Sequence, residues 1–191
     1  MPAPALSAVV LAGGRSVRMG REKALLEIAG EPLWRRQRDV LATAGAAELL
    51  LSVRAEQTWP RAAEGFTAIV TDTHPDGGPL LGIAAALERA SRPWLAVLAV
   101  DLPKMSPAWF EALRRELAPG RGLVGRRDGF FEPLAAIYPA AFRALADAAV
   151  ARGEFSLQRL LAEAVAQGLL GVREINSAEV AWFENWNEPA P

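Results

Sequence analysis

The sequence predicts an α/β fold: a mostly parallel twisted sheet with helices on both faces, built as a single domain over residues 1–191. Three observations carry this. Apolar runs of strand length alternate with segments of helical periodicity along the whole chain. No linker is long enough to divide it, and no internal repeat is present. The 191 residues, 51% of them apolar, suffice for a sizeable core.

The elements follow in order. "ALSAVVLA" reads as a buried strand that ends at Gly13 and Gly14. Pro32 to Ala44 reads as a helix, with Leu33, Trp34, Gln37, Val40 and Leu41 at helical spacing and Gly45 as its stop. Glu48 to Val53 and Phe66 to Val70 read as strands, and Pro79 opens a helix that runs to about Ala90. Trp94 to Val100 is an apolar strand leading to Asp101, and Pro107 to Leu117 is helical. Two shorter strands are expected near Gly122 to Gly125 and Leu134 to Tyr138, with "RRELAPGRG" before them as a solvated helix end. Helices over Ala140 to Ala151 and Leu157 to Gln167, and a strand over Leu169 to Ile175, precede the tail "AEVAWFENWNEP".

Composition removes several classes of function. A formal net charge of -1 argues against general binding to nucleic acid or to a membrane surface. With no cysteine, disulfides, thiolate catalysis and iron–sulfur clusters are excluded, and with His74 the lone histidine so is a multi-histidine metal site. A metal would be held by carboxylates, which favours Mg²⁺ or Mn²⁺. No apolar stretch approaches the roughly 20 residues that span a bilayer. The start "MPAPALSAVVLAGG" lacks the basic region of a signal peptide, so the expected location is the cytoplasm.

In an open parallel sheet, ligands bind beyond the carboxyl ends of the strands. Three chemically rich loops are expected on that edge: "GGRSVRMGREK", "TDTHPDGGPL" and "DLP". The stretch Leu11 to Leu26 holds three glycines, four basic residues and one acid. Its spacing matches neither a P-loop nor the G-x-G-x-x-G dinucleotide fingerprint. Adjacent glycines still let backbone N–H groups approach an anion, and Lys23 with the arginines can neutralise phosphate. The plainer reading of Gly13 and Gly14 is an ordinary turn. Asp101, a carboxylate at a buried strand end before proline, can be a magnesium ligand or an acidic turn residue. Asp76 and His74 read as loop chemistry, and the tryptophans, Trp186 included, as core or rim anchors.

The whole pattern is more specific than its parts. Leu11-Ala12-Gly13-Gly14, Arg18-Met19-Gly20 and Lys23 resemble the signature of nucleotidyltransferases with a Rossmann-like sheet. With "DGGPLLGI", "DLP", "FFEPLAAIYP" and the closing "FENWNEP" in that order, the chain from about residue 6 to 189 is similar to the molybdenum cofactor guanylyltransferases. That resemblance implies transfer of GMP from GTP to the phosphate of molybdopterin, with release of pyrophosphate. Leu11, Ala12 and Asp72 would then contact the nucleoside. Gly13, Gly14 and Lys23 would hold the triphosphate, and Arg18 would add a phosphate contact. Asp101 would hold Mg²⁺, with Mn²⁺ as the alternative. Asn185, Asn187 and the strand carrying Glu132 would face the acceptor. Ser52 stands where the family often has a nucleotide-contacting asparagine, and Glu132-Pro133 where it has His-Pro or Gln-Pro.

The implied partners are GTP and molybdopterin, with transient contact with cofactor-biosynthesis or acceptor enzymes by a monomer or weak oligomer. A cytidylyltransferase of molybdopterin, a sugar-phosphate nucleotidyltransferase and a catalytically inactive nucleotide-binding module remain as alternatives.

Overall fold

A computed structural model describes residues 4–14, 22–72 and 78–186, without the side chains of Ala62 and Asp72. The chain begins with β1 (Leu6–Leu11), buried at every residue, and passes a 3₁₀ turn at Lys23–Leu25. A small hairpin of β2 (Glu27–Ile28) and β3 (Glu31–Pro32) leads into α1 (Leu33–Thr43), β4 (Ala46–Arg54) and β5 (Ala68–Asp72). Then follow α2 (Gly78–Arg89), β6 (Trp94–Ala99), α3 (Pro107–Arg115), β7 (Gly122–Arg127) and β8 (Phe130–Pro139). The last elements are α4 (Phe142–Ala151), α5 (Leu157–Ala166), β9 (Leu170–Glu174) and a 3₁₀ turn at Val180–Phe183.

The strands of the main sheet lie in the order β5-β4-β1-β6-β8-β7-β9. Pairing is parallel except at β8, which runs against both β6 and β7. The fold is therefore α/β with a mostly parallel sheet, as the alternation of elements predicts. Alternate residues of a strand face opposite sides, and here both sides are covered. Ala8 and Val10 join the core beneath α1 and α3, while Val9 and Leu11 join the core beneath α2, α4 and α5. This is why β1 is apolar throughout.

Two sequence expectations need correction. The segments near Gly122 and Leu134 are one long hairpin rather than two short strands. Asp128 (φ 52°) and Gly129 (φ 82°) form its two-residue turn, and Asp-Gly is a sequence suited to positive φ at both positions. The end of α3 is also less solvated than expected, because Arg114 donates to the carbonyls of Pro4 (2.8 Å) and Ala44 (3.1 Å).

The order of strands positions the site. From β1 the chain crosses to β4 and β5 on one side, then returns through α2 to β6 on the other. The topological switch lies between β1 and β6, and loops diverge there at the carboxyl ends of both.

Candidate active site

A cleft of about 480 Å³ opens at this switch point. Leu11, Gly13 and Gly14 contribute from the end of β1, Ser52 and Arg54 from the end of β4, and Ala99, Val100 and Asp101 from the end of β6. Gly78, Pro79 and Gly82 of α2 close one side, and Leu134 of the antiparallel β8 reaches the same edge. The first turn of α2 thus borders the cleft with backbone N–H groups that have no intrahelical partner. Gly82 is what lets α2 come this close. A Cβ there would lie 2.7 Å from Ser52 Oγ and 3.1 Å from a Leu11 methyl.

The floor of the cleft is tied together by backbone bonds. Ala12 N–H donates to Ser52 O (2.8 Å), and Val100 N–H donates to Leu11 O (3.1 Å). The Asp101 carbonyl accepts from Trp186 N–H (2.9 Å), so the C-terminal tail returns to the loop after β6. Two side chains of α1 hold the same loop: Gln37 Nε2 donates to Leu102 O (2.6 Å) and Arg36 Nε to Pro103 O (2.8 Å).

Lys23 and Asp101 meet across the cleft, with Nζ 3.6 Å from Oδ2. The other carboxylate oxygen, Asp101 Oδ1, is buried and has no hydrogen-bond partner among the described residues. A buried, unmatched carboxylate oxygen is costly unless something fills the place. A hard divalent cation fits that donor. Among the described residues no group of three or more His, Cys, Asp or Glu side chains surrounds it. A cation there would take its remaining oxygens from substrate phosphates and water, a mode Mg²⁺ commonly uses.

Comparison with known proteins fits this geometry. Residues 8–168 match the pattern that defines the MobA-like NTP transferase domain. The chain belongs to this family. It is 46% identical over 191 residues to a protein of Opitutus terrae named "Probable molybdenum cofactor guanylyltransferase", covering 98% of this chain and 93% of that one. It is 35% identical over 169 residues to the molybdenum cofactor guanylyltransferase of Pseudomonas putida strain F1, covering 87% of each. Its fold is similar to that of the molybdopterin-guanine dinucleotide biosynthesis protein A of Archaeoglobus fulgidus, with a TM-score of 0.76 at 23% identity over 96% of this chain and 93% of that one.

Of the residues singled out by sequence, Leu11, Gly13, Gly14, Lys23, Ser52 and Asp101 line one cleft. Ala12 does not. It is 2% exposed, its N–H is spent on Ser52, and its carbonyl accepts from Gln57 Nε2 (3.2 Å). Glu132 is half-buried two residues before Leu134 and lies 3.2 Å from Arg127. Burial pushes its carboxyl above the ordinary range, and the Arg127 guanidinium holds it back. Asn185 is exposed between Glu184, which pairs with Lys104, and Trp186, which reaches Asp101. Arg18, with Arg15 and Arg21, lies outside the described residues, as do His74, Asp76, Asn187 and the side chain of Asp72.

Sequence reasoning passes over the side chains that hold the loops. Gln37 carries the one usable signal, an amide inside an apolar helical stripe. It is fully buried, and its work is to grip the loop after Asp101. Arg54 and Gln57 carry no such signal, because their contacts depend on β4 lying beside β1.

Proposed function

We propose that this protein is a Mg²⁺-dependent guanylyltransferase that transfers GMP from GTP to the terminal phosphate of molybdopterin and releases pyrophosphate. The observation that carries the reading is the unpartnered Asp101 Oδ1, buried in a cleft whose other wall is the glycine loop. The identity of base and acceptor rests on the names of the relatives.

The acceptor phosphate is already an anion, so no general base has to create the nucleophile. An acceptor oxygen forms the new bond to the α-phosphorus, the bond to the bridging oxygen breaks, and pyrophosphate leaves with the electron pair. The protein's work is positioning and charge stabilisation. The amides of Gly13 and Gly14 hold phosphate oxygens, with Lys23 as the neutralising cation. Ser52 and the Leu11 backbone border the nucleoside, and Glu132 and Asn185 the acceptor side. Asp101 would hold Mg²⁺, which when bound offsets charge on the phosphate oxygens and on the departing pyrophosphate.

Incubation with Mg²⁺, molybdopterin and each of the four ribonucleoside triphosphates tests the reading through pyrophosphate release. Release with GTP alone is expected. Release with CTP alone would make the protein a cytidylyltransferase, and GTP binding without release would make it an inactive nucleotide-binding module.

A further inference from the structure

The carbonyl oxygens of three successive residues at the glycine loop are all taken by side chains at and just beyond the end of β4. Gln57 Nε2 donates to Ala12 O (3.2 Å), and Arg54 Nη1 donates to Gly13 O (2.5 Å) and Gly14 O (2.9 Å). The same two side chains hold Glu22, on the far side of the loop. Arg54 Nη2 lies 3.3 Å from Glu22 Oε1, and Gln57 Nε2 donates to Glu22 Oε2 (2.6 Å). They also hold each other: Arg54 N–H donates to Gln57 Oε1 (2.7 Å), and Gln57 N–H to Arg54 O (3.2 Å).

Arg54 lines the cleft, which invites its reading as a phosphate ligand. Its bonding argues otherwise. Besides the two carbonyls and Glu22, its Nε donates to Glu56 Oε1 (2.8 Å). Four hydrogen bonds occupy a group with five N–H donors, and two carboxylates offset its single charge. Its side chain is only 14% exposed. The group is committed to the protein.

What it does follows from the geometry of the peptide bond. In a trans peptide the C=O and the next residue's N–H point in opposite directions. Gripping Ala12 O therefore turns Gly13 N–H away from Gln57, and gripping Gly13 O turns Gly14 N–H away from Arg54. Among the described residues neither N–H donates a hydrogen bond. A carbonyl turned toward a bound polyphosphate would repel it, whereas an N–H attracts it. Glycine has no side chain to fix its peptide planes. An external grip is the device that makes such a pair selective for anions.

We propose that Arg54 and Gln57 form a positioning clamp that presets the Gly13 and Gly14 amides for the triphosphate without touching it. The proposal rests on the triphosphate reading given above. A clamp and a direct ligand respond differently to substitution. Arg54→Lys keeps a positive charge at the cleft but cannot span two carbonyls and Glu22. Gln57→Leu changes no charge and removes the grip on Ala12.

The test is the equilibrium affinity of wild type, Arg54→Lys, Gln57→Leu and the double variant for GTP and for guanosine, with melting temperatures recorded alongside. Both single variants are expected to weaken GTP by about tenfold or more and to leave guanosine within about twofold. The double variant should lose less than the product of the two, because the side chains act as one unit. Gln57→Glu, of nearly the same shape but set against Glu22 and a carbonyl, should lose GTP affinity as well if Gln57→Leu does not fold. GTP affinity that survives in Arg54→Lys and in the folded Gln57 variants overturns the clamp and leaves the triphosphate site standing. Wild-type protein that binds guanosine and GTP equally overturns both readings.

Discussion

Two carboxylates sit at opposite edges of the same sheet and have opposite surroundings. Glu48, near the start of β4, is 7% exposed, and one of its oxygens accepts from Ser7 Oγ, Ser91 N–H (2.9 Å) and Ser91 Oγ (3.1 Å). Its other oxygen lies 3.9 Å from Arg89 Nη1. Asp101, just after β6, has Lys23 at 3.6 Å from one oxygen and nothing on the other among the described residues. Among the described residues each has one cation, and they differ in the neutral donors around them. Glu48 is saturated by the protein and ties β1, β4 and the turn after α2 together. Among the described residues Asp101 Oδ1 has no partner, which is the arrangement expected if an external cation completes it.

The sharpest way to break this comparison is Asp101→Asn. If the empty oxygen serves a cation and a phosphate, turnover should fall by at least about a hundredfold, and added Mg²⁺ should not restore it. The melting temperature should stay within a few degrees, because among the described residues the side-chain contact it weakens is the 3.6 Å pair with Lys23, and such a partly exposed ion pair adds little. Near-normal pyrophosphate release would remove the metal assignment. Lys23→Ala ranks next. GTP affinity should fall by about tenfold or more while guanosine affinity holds, since the lost contact is a charge-assisted one to phosphate. Equal losses for the two ligands would assign Lys23 to the fold through its pair with Asp101 rather than to the triphosphate.

The two carboxylates also show what a sequence can carry. The position of Asp101 was legible, because a carboxylate and a proline at the end of an apolar strand are a local pattern on the ligand-binding edge of a parallel sheet. The glycine pair after β1 was legible for the same reason. The donors to Glu48 were not, because Ser7, Glu48 and Ser91 converge only once β1, β4 and the end of α2 are packed. Gln57 and Arg54 reach Ala12 and Gly13 across 45 and 41 residues, so no short window contains the interaction. The Asp128-Gly129 turn is the reverse case. Its signal is local and strong, yet Glu132 and Pro133 interrupt the apolar run between Phe131 and Leu134, so the strand reads shorter in sequence than the Phe130–Pro139 it spans.

Glu48→Gln tests the saturated side. An amide of the same shape keeps one acceptor but turns a second donor against Arg89 and loses the charge that draws three donors together. Stability should fall by about 1–3 kcal/mol, while kcat/KM for GTP, measured below the melting transition, stays within about twofold. Burial pushes the Glu48 carboxyl up, but the hydrogen bonds from Ser7 and Ser91, with Arg89, outweigh it, and the pKa falls below the usual 4.5. A carboxyl with a lowered folded-state pKa contributes stability that is present above about pH 4.5 and is lost as pH falls through the folded value. Denaturant midpoints of wild type and Glu48→Gln should therefore draw together as the pH is lowered from 6 toward 3. A constant gap over that range would mean the side chain acts by shape alone.

Glu132 stands between the two extremes, and its substitution should have the smallest effect. Among the described residues its ion-pair partner is Arg127, at 3.2 Å, and burial raises its pKa above 4.5. For a carboxyl shifted this way the sign reverses. Its stabilising contribution is present below the ordinary pKa and is lost as pH rises through the folded one, so it is absent at neutral pH. Glu132→Gln should leave stability at pH 7 within about 0.5 kcal/mol of wild type. The informative quantity is then the KM for molybdopterin at saturating GTP. A rise in that KM with GTP affinity unchanged would give Glu132 an acceptor role despite its partner, as the strand position after β7 implies. Unchanged KM with unchanged stability would make the Arg127 pair a local surface contact. The rule drawn from Asp101 would then be narrower: in this sheet a carboxylate serves the ligand when it has an oxygen with no donor, and partial burial with one cation is not enough.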